Sequence, residues 1–203
     1  MNILFCGNLD LSNNVAALTT ISFFKNALEL NNNIYILASG NKSDSNNINI
    51  IDSKSIILYK KPKFKKYIPK TYQIIKHDKK QLEINLPDII QKKAIDLIIV
   101  YSTFLPVLHT VLRISRTNKI KCLTYGGEHF SLNIRNIINT TNIYQFLAKQ
   151  LIYQKFDGHI CSTFYHQNTL KNLNTRSIVI PTIAPYIDLH KQKINNNSKE
   201  SFN

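Results

Sequence analysis

The chain of 203 residues has only five glycines, three cysteines and twelve acidic residues. Each scarcity excludes something. With so few glycines there is little room for a phosphate-cradling loop, and neither G-x-x-x-x-G-K-[ST] nor G-x-G-x-x-G occurs. H-E-x-x-H and G-x-S-x-G are also absent. Cys6, Cys122 and Cys161 are isolated, each inside or at the end of an apolar run, and no C-x2-C spacing suggests a metal site. They read as buried structural thiols of a reducing compartment. No carboxylate cluster offers a hard-ion site, so no metal is expected. No apolar run reaches the roughly 18–20 residues that span a bilayer. The best stretch, 94–112, is interrupted by Asp96, Ser102, Pro106 and His109. The N-terminus enters a strand pattern at once, without a basic n-region or small-residue cleavage site, so it does not read as a signal peptide.

What is plentiful is positive charge. The net charge is +14, and residues 60–80 (KKPKFKKYIPKTYQIIKHDKK) hold nine Lys against a single Asp. So basic a block suits an anionic partner such as a membrane surface, a nucleic acid or a phosphorylated substrate. A solvated loop that keeps the protein soluble is the competing account. Phe64, Tyr67, Ile68 and Tyr72 interleave with the lysines. Rings among lysines fit an interfacial element, with Lys60, Lys61, Lys63, Lys65, Lys66 and Tyr67 as membrane-binding candidates. The same composition can grip single-stranded nucleic acid by stacking, although no nucleic-acid-binding fold is legible around it.

At 43% hydrophobic residues the chain can bury a core. Short apolar runs alternate with longer amphipathic ones, which predicts an α/β fold with a Rossmann-like parallel sheet flanked by helices. Strands are expected at Asn2–Cys6, Ile34–Ala38, Ser55–Tyr59, Ile95–Tyr101, Lys121–Tyr125, Gly158–Cys161 and Ser177–Ile180. Helices are expected over 14–30, 71–83, 103–116, 142–155 and 163–173. Pro87 breaks or restarts the helix before it, with Asn85 available as a cap. Residues 1–187 form the domain, and the polar, aperiodic 188–203 reads as a linker or tail.

In such sheets ligands sit at the carboxyl ends of the strands. Tyr125-Gly126-Gly127-Glu128-His129 occupies such an end. Gly126 and Gly127 let the backbone turn sharply or approach a ligand, and Glu128 can orient His129 or share general-base work. A capping Glu and a surface His is the plainer account. Gly7 closes the first strand, where a tight turn asks for glycine in any case. His109, His159 and His166 read as structural.

Four segments in this order resemble the N-terminal domain of GT-B fold glycosyltransferases of the family 4 type. They are Ile3–Gly7 with the helix that follows, Ile95–Tyr101, the Glu128-His129 loop, and Phe156–Ser162 followed by Ile178–Pro181 and Ile187-Asp188. The resemblance implies the acceptor-binding part of a retaining enzyme that moves a sugar from a nucleotide sugar to a saccharide or lipid-linked acceptor in surface polysaccharide synthesis. It implies a place in the cytoplasm on the inner membrane face. His129 and Glu128 would be the catalytic pair, with Gly7, Asn8, Gly126, Gly127 and Ser162 as substrate contacts. No cofactor is implied beyond the nucleotide sugar. The family's Glu-x7-Glu motif belongs to a C-terminal domain, and Glu29, Glu83, Glu128 and Glu200 do not reproduce it. The expectation is therefore a fragment, or one subunit with a separately encoded partner domain, that transfers no sugar alone. A non-catalytic membrane-docking or partner-binding module, and a nucleic-acid-binding protein, are the other two readings.

Overall fold

The computed structural model of the chain describes residues 1–7, 9, 31–40, 55–102, 104–126, 151–161, 164–170 and 176–180. The apolar runs become strands: β1 (Asn2–Gly7), β2 (Asn33–Ser39), β3 (Ile56–Tyr59), β4 (Leu97–Tyr101), β5 (Lys121–Gly126), β6 (Gly158–Cys161) and β7 (Ser177–Val179). They form one sheet in the order β3-β2-β1-β4-β5-β6-β7, and every pairing is parallel. Between them lie α1 (Lys70–Lys93), α2 (Leu105–Thr117), a 3-10 turn (Tyr153–Lys155) and α3 (Phe164–Leu170). The expected α/β class is thus what the chain adopts. The helix expected over 14–30, most of that over 142–155 and the tail from 188 lie outside the described residues.

β1 and β4 carry almost uninterrupted apolar sequence because both faces of the sheet's centre are buried. Alternate residues supply two cores. Leu4, Cys6, Ile98 and Val100 join Leu82, Leu86, Val107 and Leu108 from α1 and α2 on one face. Ile3, Phe5, Ile36, Ile99 and Tyr125 pack on the other. The sheet is tied to α1 at its base by Asn2. Its side-chain amide donates to the carbonyls of Lys93 (2.9 Å) and Ala94 (3.0 Å), where Ala94 takes a left-handed cap conformation. Its side-chain oxygen accepts from the Asn33 amide at 2.8 Å. One residue thus fastens the starts of β1 and β2 to the end of α1.

Pro87 does not break the helix. α1 runs unbroken through it for 24 residues, and Asn85 is no cap: its amide donates back to the Gln81 carbonyl at 2.7 Å. A mid-helix proline costs about 3 kcal/mol. Leu82, Leu86, Ile89 and Ile90 flank it and are all buried, and burying each is worth about 1.5–3 kcal/mol. Packing therefore wins over the local break. Pro106, by contrast, falls in the first turn of α2, where the lost N–H has no intrahelical partner to miss.

The three cysteines are free and buried, as expected. Burial, with Cys122 adding, pushes the Cys6 thiol well above its usual 9.0. Burial drives Cys122 up to about 12 against an opposing bond from Ser115, and Cys161 up to about 11. A thiol raised in the folded state contributes stability that is complete below the unfolded value and lost as pH climbs through the folded one. The urea midpoint should therefore fall as pH rises from about 9 towards 12. At pH 8 a thiol reagent should label the native chain at least about a hundred times more slowly than the unfolded chain. Rapid native labelling of any of the three would contradict this burial.

Candidate active site

The strand order reverses direction at β1 and β4. From β1 the chain steps to β2 and β3; from β4 it steps the other way to β5, β6 and β7. In open α/β sheets the two loops leaving such a point diverge and leave a crevice at the carboxyl ends. At that point Gly7 is paired in register with Tyr101.

Gly7 is fixed by that neighbour. Its φ is +129°, and a Cβ would lie 2.2 Å from the Tyr101 carbonyl oxygen and 2.8 Å from the Tyr101 carbonyl carbon. No side chain fits, so β1 and β4 approach closely at their carboxyl ends. Beyond Gly7 the Leu9 carbonyl accepts from both the backbone N–H (2.8 Å) and the hydroxyl (2.9 Å) of Ser39. These bonds draw the chain over the end of β2, away from β4.

Aromatic rings line one side of this point. The Tyr101 and Tyr125 ring centres are 6.0 Å apart, and Phe5, fully buried, lies 5.9 Å from Tyr125. Tyr101 is half-buried and Tyr125 is buried. Just past β4, the Ser102 hydroxyl accepts the Phe104 N–H at 3.1 Å and shapes the entry to α2. Gly126, in register with Cys161, ends β5 at the same edge. The carboxyl edge thus sets strand-end backbone beside a half-buried Tyr101 ring, which packs against the second core through Tyr125 and Phe5.

Of the site residues expected from sequence, Gly7 and Gly126 stand at the carboxyl edge. Asn8, Gly127, Glu128, His129 and Ser162 lie outside the described residues. Tyr101 and Tyr125, which meet beside that edge, are not among the expected residues. Their signal was present, since each ends or nearly ends an apolar run, but only the register shows that the rings meet. His159 is structural, as read: it is buried, its Nδ1 shares a 2.5 Å hydrogen bond with Thr124 Oγ1, and Tyr153 and Phe156 pack on its ring. His109 is exposed on α2.

The basic segment divides. Residues 60–69 form a connection that turns at 66–68, and 70–80 are the first half of α1. Lys60, Lys63, Lys65, Lys66 and Tyr67 are exposed, while Lys61 is half-buried. The segment's single Asp is not on the surface. Asp78 is buried and its carboxylate accepts the Tyr59 hydroxyl at 3.2 Å, with His77 Nδ1 at 3.7 Å. Burial, and secondarily the Lys80 charge, lowers the His77 pKa from 6.5. Stability tied to His77 is thus present above pH 6.5 and lost as pH falls through the lowered value.

No protein-family model matches the chain, and no curated protein matches it. Solved structures do. A UDP-GlcNAc 2-epimerase from Neisseria meningitidis, bound to UDP-GlcNAc, superposes with a TM-score of 0.65 at 13% identity, over 98% of this chain and 52% of its own. Phytolacca americana UGT2, complexed with UDP-2-fluoro-glucose and pterostilbene, gives 0.63 at 12% identity, over 94% and 56%. Arabidopsis thaliana UGT89C1, complexed with UDP-L-rhamnose, gives 0.62 at 14% identity, over 92% and 53%. The chain spans about half the length of each, and its fold is a Rossmann-like half of the GT-B kind.

Proposed function

We propose that this chain is the acceptor-side half of an enzyme acting on nucleotide sugars, a glycosyltransferase of the GT-B kind. The observation that carries the reading is the match of nearly the whole chain to one half of three enzymes whose structures hold UDP or a UDP-sugar. The strand-end crevice over Gly7 and Tyr101 supports it. In this reading His129 faces the reacting sugar and Glu128 orients it. Gly126 and Gly127 let the backbone come close, and Gly7, Asn8 and Ser162 border the acceptor. The residues contribute positioning and electrostatic support of developing charge. Family 4 membership, retention of configuration and a role in surface polysaccharide synthesis belong to the same proposal.

The epimerase match favours a second reading, in which the sugar is inverted at one carbon and no acceptor is used. Two assays separate them. Saturation-transfer NMR with short saccharides and UDP-sugars should detect a saccharide bound weakly by the chain, with His129→Ala and Glu128→Ala each reducing the signal. The chain alone should release no UDP in an acceptor-dependent way. No saccharide binding, or binding untouched by both substitutions, would sink the acceptor reading. Acceptor-free epimerisation of UDP-GlcNAc would replace it with the second.

A further inference from the structure

We propose that residues 63–73 form a prebuilt anchor for an anionic lipid bilayer, on the loop that leaves the carboxyl end of β3, two strands from β1. Lys63 to Lys70 are exposed without interruption. Within that run Tyr67 is 92% exposed, Phe64 49% and Ile68 38%. Apolar and aromatic groups held this far out of a folded chain point to a second phase that takes them up.

The loop is held in shape. The Gln73 side chain accepts the Lys65 N–H at 2.7 Å and donates to the carbonyls of Lys65 (3.0 Å) and Ile68 (2.7 Å). Three hydrogen bonds from one amide thus clip the loop to the first turn of α1. Lys70 Nζ lies 5.1 Å from the centre of the Phe64 ring. The result is an open concavity of about 520 Å³, lined by Phe64 to Lys70 and Gln73. Because the loop is ordered in advance, less conformational freedom is lost on docking.

Charge selects the occupant. Lys65, Lys66 and Lys70 rim the concavity, Lys76, Lys79 and Lys80 are exposed further along α1, and the segment's single carboxylate, Asp78, is buried. The outward field is therefore that of lysines, complementary to lipid phosphates and serine headgroups. A single-strand nucleic-acid site would place its rings inside a groove where successive bases stack. Here the concavity is open, only Phe64 and Tyr67 bring aromatic rings to it, and Tyr67 is 92% exposed with the aliphatic Ile68 beside it, an arrangement that enters a headgroup layer. Among the described residues no helix is long and apolar enough to cross a membrane.

Sedimentation of the full chain with vesicles tests the anchor. Binding should appear with 30% phosphatidylserine, be weak or absent with phosphatidylcholine alone, and fall as salt rises. Tyr67→Ser should weaken it roughly five- to tenfold. Lys65→Gln with Lys66→Gln should weaken it roughly 25-fold, about fivefold per lysine. Gln73→Ala keeps every ring and charge and should weaken it about threefold. Lys65, Lys66 and Tyr67 are exposed and Gln73 is half-buried outside the core, so circular dichroism should be unchanged. Equal binding to neutral vesicles, or no loss with Tyr67→Ser, would overturn the anchor. So would single-stranded RNA displacing the chain from vesicles at equal charge concentration. An unaffected Gln73→Ala would overturn its prebuilt character.

Discussion

Replacing Gly7 by alanine will destabilise the domain by about 3–5 kcal/mol, a large share of the roughly 5–15 kcal/mol that holds a domain folded. Two costs combine. The backbone at φ +129° is one that side chains rarely adopt, at about 1–3 kcal/mol. The added Cβ would meet the Tyr101 carbonyl oxygen at 2.2 Å, so β1 and β4 must separate. Both are central strands, so no solvent-facing edge can absorb the shift. Urea unfolding followed by circular dichroism measures the loss. A change below about 1 kcal/mol would mean that the two strands do not meet as described.

Phe5→Ala should cost about 3–5 kcal/mol, the usual range for a buried aromatic ring. Phe5 is fully buried and lies 5.9 Å from Tyr125, which in turn lies 6.0 Å from Tyr101. Removing it takes the support from Tyr125 and, through Tyr125, from Tyr101. The chain has no tryptophan and ten tyrosines, so the near-ultraviolet dichroism should flatten as the tyrosines loosen. Phe64→Ala is the control: that ring is 49% exposed, and the cost should stay within about 0.5 kcal/mol. Equal effects from the two substitutions would contradict the assignment of Phe5 to the core.

The strands were legible because centrally buried parallel strands read as unbroken apolar runs. Residues 95–101 announced β4 to within two positions, and the alternation of strand and helix announced a parallel sheet. What was misread depends on partners distant in sequence. Pro87 looks like a break because its penalty is local, while the burial of Leu86 and Ile89 that outweighs it comes from tertiary packing. Asp78 reads as one charge among lysines, yet the Tyr59 hydroxyl, nineteen residues away, bonds its carboxylate in the interior. Gly7 read as a turn residue, yet its stronger constraint is a carbonyl on a strand more than ninety residues along the chain. The aromatic pair of Tyr101 and Tyr125 follows from register, which no single segment encodes. The strand pattern put Glu128 and His129 just past a strand end; β5 runs to Gly126, and the pair lies outside the described residues.

The most direct test of the central claim is an amide map of the isotopically labelled chain titrated with UDP, UDP-GlcNAc, UDP-glucose and short saccharides. The account predicts that at least one saccharide or sugar nucleotide shifts the amides of Gly7, Tyr101, Ser102 and Gly126 together, leaving those of residues 63–73 in place. Shifts confined to the lysine-rich loop, or none from any ligand at millimolar concentration, would contradict a sugar site at the carboxyl ends of β1 and β4.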